Sequence, residues 1–376
     1  MHTEPTRSGP RPTLQLARVW GVPVVVTPSW LIIAAVLTIS YGPIVRDAVP
    51  GTSNAVGYLA ALGFAVLFAL CIVAHELGHT LVSRALKYPV KRITLFLLGG
   101  VSEIEGEPRR ARDELLISSA GPLVSALVAA VLFGGYAVAP SESLVEALLL
   151  LLAWSNAALV VFNLLPGLPL DGGRMLRAAV WGVSGRETRS IKVAGWFGRG
   201  VAVLVAITGL VVDRTSAGFA AGLVTLFLAA YLWSGATAAI RVADVQERLP
   251  LVRVIDLLRP GLLVPSTVTV DDALRRAWAG NVGGIVLTDS SAQPSAIVDE
   301  RLISAVPPQR RAWTQVSTVA RPLESGMVLP VDIDSRDLLD RMQAHPAREY
   351  LMIAADGAPA GIIATVDFAR RLKGTA

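Results

Sequence analysis

Cysteine is almost absent: Cys71 stands alone among 376 residues. An intrachain disulfide is therefore excluded, and so is a thiolate cage for a structural metal. Charge is scarce too. Only 17% of residues are Asp, Glu, Lys or Arg, against about 25% in an ordinary soluble domain, while 53% are hydrophobic. That balance points to a chain that spends much of its length in lipid. The amino terminus, "MHTEPTRSGPRPTLQLARVWGV", lacks the apolar core of a cleavable signal peptide, so the first apolar span is expected to stay in the mature protein. The net charge of +5 is modest, and nothing in its pattern suggests a nucleic-acid partner. Histidine occurs four times, as His2, His75, His79 and His345.

What is abundant is apolar sequence, and it is unevenly placed. A membrane-crossing helix needs about 20 mostly apolar residues. Five charge-free runs reach that length: Val19 to Val45, Ala48 to Ala74, Leu115 to Ser141, Ala147 to Leu170, and Thr215 to Ile240. The β-branched residues and prolines of "WGVPVVVTPSW" predict an extended segment before the first helix, which is expected to begin near Ser29 or Trp30. A sixth span, Gly200 to Val212, is short and borrows "GWFGR" to reach across, with Arg199 snorkelling to the interface.

Basic residues mark the cytoplasmic side. Arg7, Arg11 and Arg18 precede the first span. Arg84, Lys87, Lys91, Arg92, Arg109, Arg110 and Arg112 lie between the second and third. Arg174, Arg177, Arg186, Arg189, Lys192 and Arg199 follow the fourth. The opposite loops hold only Arg46 and Arg214. Both termini are therefore expected in the cytoplasm. Residues 241–252 read as a polar exit from the last span. Beyond them the pattern becomes soluble α/β, with an order of strand, helix, strand, turn, strand, helix that occurs twice at a period of roughly 60 residues.

The stretch "CIVAHELGHTL" places His75, Glu76 and His79 at the end of an apolar run. Residues four apart share a helix face, so His75 and His79 can reach one metal ion, with Glu76 turned toward a water on it. A structural polar cluster is the plain alternative, but charged groups within a span cost roughly 2–4 kcal/mol each and mark function by default. Neither His2, in the tail, nor His345, in the soluble repeat, is a natural third ligand. A carboxylate remains, and Asp171, after "NLLPGLPL", is the best placed. Its other reading is a helix cap before "GGRML". Glu103, Glu105, Glu107, Asp113 and Glu114 compete, but they lie among basic residues in an expected surface loop. Asn163 can donate to a substrate carbonyl or an oxyanion, or form an interhelical hydrogen bond. Asn156 and Ser155 read as packing contacts. Cys71 reads as a small buried residue. "KRITLFLLGGVSEI" reads as a strand, a Gly99–Gly100 bend and a second strand, either a closed hairpin or an edge for an unwound peptide.

These motifs together resemble the site-2 proteases, zinc enzymes that cut peptide bonds within the membrane. The resemblance rests on "HELGH", on "SSAGPLVSALV", and on "FNLLPGLPLDGGRML", whose Asn163, Pro166, Leu170, Asp171 and Gly172 match the family's Asn–Pro–Leu–Asp–Gly signature. It covers about residues 15–240. It implies one zinc ion held by His75, His79 and Asp171, with Glu76 as general base and acid and Asn163 on the substrate. It also favours a substrate-binding strand at Gly99 and Gly100. The carboxy-terminal repeat looks like a pair of CBS domains. The implied architecture is a polytopic α-helical membrane protein with six transmembrane helices and short β segments, residues 1–243. A cytoplasmic α/β CBS-like pair follows, residues 244–376, with repeats at about 250–308 and 316–376. Such a chain resembles the bacterial and archaeal branch of the family, actinobacterial members included.

The implied substrate is a transmembrane protein, such as a membrane-tethered regulator of the anti-sigma-factor kind, and the CBS pair implies a homodimer contact. Nucleotide-binding CBS domains carry Thr or Ser three residues before an Asp. Here Asp367 follows Ala364, and Asp299 and Leu302 fill the other copy, so neither repeat keeps the full ribose-binding pair. Two rival readings remain at this level. A metal-ion transporter would also bury histidines and carboxylates but gives Glu76 no duty. An inactive scaffold would act through its tail, but the intact "HELGH" and "LDG" argue against decay.

Overall fold

The computed structural model describes residues 14–97, 99–213, 218–280 and 282–373. His2, Arg7, Arg11 and Arg214 lie outside them. The chain divides into two compact units, Met1–Ala243 and Asp244–Ala376.

The first unit opens with a hairpin, β1 (Leu14–Val19) and β2 (Val22–Val26). Its two-residue turn sets both Trp20 (φ 50) and Gly21 (φ 84) in the left-handed region, the turn that matches strand twist. The helix α1 (Ser29–Ala48) starts where the proline-rich segment ends. Next come α2 (Asn54–Ala85), β3 (Val90–Phe96), β4 (Gly99–Ile104), α3 (Ala111–Val138) and α4 (Leu144–Asn163). Last are α5 (Asp171–Ser184), α6 (Glu187–Asp213) and α7 (Gly218–Arg248). Ser53 and Ser143 cap α2 and α4 by accepting from backbone N–H groups one turn on.

Among the described residues six helices are long and apolar enough to cross a membrane: Ser29–Ala48, Asn54–Ala85, Ala111–Val138, Leu144–Asn163, Glu187–Val211 and Gly222–Leu251. The number agrees with the sequence, but several bounds do not. The fourth run stops being helical at Asn163, because Pro166 and Pro169 cannot continue a helix ladder. The sixth span is not a short segment from Gly200. It begins at Glu187 and carries Arg189, Lys192 and Arg199 within it. Arg199 does not simply reach outward: its guanidinium sits 4.6 Å from the Trp196 ring centroid and 5.0 Å from that of Trp233, and donates to Thr237 Oγ1.

The sheet has the order β1-β2-β3-β4, with β2 and β3 parallel and the outer pairs antiparallel. Val22, Val24 and Ile93 bury one of its faces against Val73 and Leu77 of α2. That packing holds β4, an edge strand, alongside α2 at the level of its histidines. Gly99 and Gly100 are the first two residues of β4 rather than the bend itself.

The loop 164–170 contains a cis Leu168–Pro169 bond and lies directly on the first turn of α5. Cβ atoms at Gly172 and Gly173 would fall on the backbone of Leu164 and of Gly167–Leu168, so only hydrogen fits there.

The second unit carries two copies of one order: β5 (Gly261–Pro265), α8 (Val270–Ala279), β6 (Gly284–Thr288), β7 (Pro294–Val298) and α9 (Glu300–Ala305), then β9 (Val328–Pro330), α10 (Ser335–Ala344), β10 (Glu349–Ile353), β11 (Pro359–Ala364) and α11 (Thr365–Lys373). Between them β8 (Ala320–Pro322) joins the sheet β5-β6-β7-β8, so a strand from the stretch assigned to the second copy completes the first. The copies meet through Val286, Ile297, Leu351 and Ile362, all at most 3% exposed.

Both aspartates that the CBS resemblance singled out are engaged by arginines. Asp367 takes Arg259 at 2.6 Å and Asp299 takes Arg321 at 3.0 Å, with Arg348 at 3.8 Å. Near them the Glu349 carboxyl is pushed up to about 7, first by burial, then by the charges of Glu300 and Asp299, against the opposing pull of Arg259 and Arg321.

Two outcomes follow. A carboxyl raised on folding stabilises while protonated, so that contribution is present below the ordinary carboxylate range and is lost as pH rises to about 7. The urea midpoint of the second unit, read by pulse proteolysis of the full chain, should fall over that window, and Glu349→Gln should flatten the fall. Gly173→Ala forces backbone apart and should cost about 1–3 kcal/mol, seen as a lower thermal unfolding midpoint in detergent.

Candidate metal centre and catalytic cavity

The helix α2 continues unbroken through "HELGH", so His75 and His79 face the same way, one turn apart. Their Nε2 atoms are 3.2 Å apart. Asp171 Oδ2 lies 3.1 Å from His75 Nε2 and 3.2 Å from His79 Nε2. Among the described residues this is the one group of three His, Cys, Asp or Glu side chains arranged to share an ion. The competing carboxylates are engaged elsewhere. Glu103 pairs with Arg92, Glu105 with Lys91, and Glu107 with Arg177, while Asp113 accepts from the Tyr88 hydroxyl.

Asp171 is not a helix cap. The N-cap of α5 is Leu170, and Asp171 is the first helical residue. Its carboxylate turns to the imidazoles instead, close to the positive end of α5.

The far side of each ring explains how the donors are oriented. His79 Nδ1 donates to the Ile117 carbonyl at 2.7 Å. A carbonyl can only accept, so the proton belongs on Nδ1 and the lone pair on Nε2. His75 Nδ1 is 2.9 Å from Ser125 Oγ, which suits the same tautomer. Both partners lie on α3, in and beside "SSAGPLVSALV". Gly121 in that stretch lets the helix backbone come up to the rings, for a Cβ there would sit 2.6 Å from His75 Nε2. These orienting groups escaped the sequence reading. Their signal was a Ser and a Gly spaced along one apolar helix, and that pattern alone is common.

Two imidazole lone pairs and a carboxylate oxygen thus converge. A tetrahedral ion with ligands at about 2.0–2.1 Å sets neighbouring donors about 3.3 Å apart, close to the 3.1–3.2 Å observed. The donor set, two His and one carboxylate without sulfur, suits zinc with a position left open for water.

Glu76 is 7% exposed and accepts from Ser102 Oγ of β4 at 2.7 Å. The same hydroxyl is 3.1 Å from the Glu76 carbonyl. Gly100 gives β4 its closeness, since a Cβ there would press on Glu76 Cγ at 2.6 Å. The histidines, Glu76, Asp171, Gly99, Gly100 and Asn163 all line one cavity of about 320 Å³. Asn163 ends α4 at its wall. Asn156 is fully buried and donates to Leu152 O within its own helix, away from the cavity. Glu114, read as a surface-loop residue, is also fully buried, because α3 begins at Ala111 and turns that side chain inward onto Arg174.

The sequence pattern of Peptidase family M50 matches residues 63–146 and 137–207. The putative zinc metalloprotease Rip3 of Mycobacterium tuberculosis is 30% identical over 367 residues, covering 96% of this chain and 93% of that protein. A solved structure of a site-2 protease from Methanocaldococcus jannaschii is 25% identical, covers 61% of this chain and 95% of its own, and superposes with a TM-score of 0.44. A CBS domain of the bacterial CNNM/CorC family Mg2+ transporter, solved with an inhibitor bound, is covered to 95% and spans 40% of this chain at 16% identity and a TM-score of 0.30. With its converging histidines and aspartate, and kinship along nearly the whole of Rip3, the chain belongs to peptidase family M50, the site-2-type zinc metalloproteases.

Proposed function

We propose that this membrane zinc protease hydrolyses peptide bonds in transmembrane segments of other proteins, with Glu76 as general base and then general acid. The observation that carries the reading is a buried carboxylate held beside three converging metal donors, in a cavity walled by apolar helices. His75, His79 and Asp171 would hold a zinc ion, which would supply Lewis acidity that brings the pKa of a water down toward about 7. Ser102 holds Glu76 Oε2, which leaves Oε1 to take the water's proton. The water oxygen adds to the peptide carbonyl carbon, and Glu76 then delivers the proton to the leaving nitrogen as the C–N bond breaks. The Asn163 amide, which also lines the cavity, donates to the carbonyl oxygen as charge develops there.

The substrate must arrive extended. The edge strand β4 borders the cavity through Gly99, Gly100 and Val101, and an unwound segment added there would pass Glu76. A second, apolar groove supports approach from within the lipid. It is lined by Leu37, Tyr41, Phe64, Phe68 and Ala158, and it shares Leu159 and Phe162 with the catalytic cavity. The excess of basic residues in one set of loops supports cytoplasmic termini, with the cavity toward that face. The second unit is read as a regulatory CBS pair that supports a homodimer. Its aspartates are already engaged by arginines, so a ribose would have to displace an ion pair to bind there.

Glu76→Ala should keep wild-type zinc content by elemental analysis and lose about 10²–10⁴-fold in cleavage of a single-span substrate. Cleavage at the wild-type rate with zinc retained would sink the reading. His79→Ala and Asp171→Ala should each weaken zinc binding, leaving measurable residual affinity and a zinc content below wild type. In a Cys71→Ala background, Thr52→Cys and Ser141→Cys should react with an impermeant thiol reagent on intact cells, and Ser184→Cys should not.

A further inference from the structure

Three carboxylate side chains in the described residues are less than 10% exposed: Glu76, Glu114 and Asp299. Glu76 has its step and Asp299 belongs to the second unit. Glu114, at 0%, takes no part in the reaction as derived. It is held by a two-point fork, with Arg174 Nε 3.0 Å from Oε1 and Arg174 Nη2 3.4 Å from Oε2. Arg177 Nη1 stands off at 3.9 Å, while its other nitrogen holds Glu107 and Glu187.

The positions of the two partners matter more than the pair itself. Arg174 follows Asp171 by one turn of α5, so both side chains leave the same face of that helix, and Arg174 lines the catalytic cavity. Glu114 precedes Ile117 by one turn of α3, and Ile117 is the carbonyl that fixes the His79 ring. Ser125, farther along the same helix, fixes His75. α3 therefore sets both imidazoles directly. The third ligand comes from a helix that follows an irregular loop. Among the described residues, the side-chain hydrogen bonds between its first turn and α3 are those of Arg174 with Glu114.

We propose that Glu114 and Arg174 are positioning residues for the metal centre: their clasp pins the first turn of α5 against α3 and so holds Asp171 within reach of both histidines. The inference rests on the zinc-protease reading and deepens it. A fork sets direction as well as distance, which a single contact would not. Groups that orient a metal ligand typically contribute 10–100-fold in metal affinity.

The test is zinc affinity of the purified full chain in detergent, by competition with a chromophoric chelator, beside the thermal unfolding midpoint of zinc-free protein. Glu114→Gln and Arg174→Met should each weaken zinc about 10–100-fold, and the double variant no more than the worse single. Glu114→Asp keeps the charge, shortens the reach and should lose part of the affinity. In an Asp171→Ala background, Glu114→Gln should cost nothing further. Glu107→Gln, at the exposed neighbouring pair, should leave affinity unchanged.

Three results would overturn the clasp. One is folded variants that bind zinc within twofold of wild type. Another is weakening by Glu114→Gln but tightening by Arg174→Met, which would reveal long-range charge alone. The third is an undiminished effect of Glu114→Gln without Asp171. Should the single variants fail to fold, Glu114→Asp and the double variant, which leaves no buried charge unpaired, carry the same comparison. A wild-type chain that binds no zinc would instead overturn the zinc-protease reading itself.

Discussion

Two imidazole lone pairs and one carboxylate oxygen point at one another across 3.1–3.2 Å. Without a cation such an arrangement is repulsive, and the first unit is organised to hold it. The histidines ride on one straight helix, so their spacing is fixed by the backbone. Their rings cannot turn, because Ile117 and Ser125 hold the far nitrogens. Asp171 is the member of the triad that does not lie on α2. It comes from a separate helix, and its placement depends on glycines that let α5 lie on the loop before it. The same donors in a membrane chain would also suit ion transport. Membership of a zinc-metalloprotease family assigns them to a protease.

The second constraint is the closeness of β4 to α2. Burial of Val22, Val24 and Ile93 against the apolar side of α2 anchors the sheet. Gly100 then admits the strand to within contact of Glu76, and Ser102 takes one carboxylate oxygen. One strand thus both holds the Glu76 carboxylate and presents a sheet edge beside the cavity. A side chain larger than hydrogen at position 100 would push strand and carboxylate apart.

The second unit follows different rules. Its stability rests on ordinary apolar burial, worth about 1.5–3 kcal/mol for each fully buried side chain: Ile362 lies between the repeats, and Ile363 and Tyr350 lie in the core of the second copy, all at 0% exposure. Its charged residues satisfy one another. Arg259, Arg321 and Arg348 reach Asp367 and Asp299, and Glu349 bears the cost first of burial and then of lying near other carboxylates.

Much of this was legible in order along the chain. Apolar runs of sufficient length produced the six long helices, because a buried backbone must satisfy its hydrogen bonds within the segment. The i, i+4 spacing placed His75 and His79 on one face, and the scarcity of cysteine and histidine left a carboxylate as third ligand. The repeat of strand and helix signals gave the second unit its two copies. Sequence spacing could not bring Asp171 across 96 residues to His75, nor distinguish a ligand from a helix cap. It could not reveal that Glu114 turns inward among neighbours that face out, or that Ser125 and Ile117 hold the rings. Those facts depend on how α3, α5 and β4 pack around α2. Periodicity along one element says which side chains share a face, but only packing between elements says what that face meets.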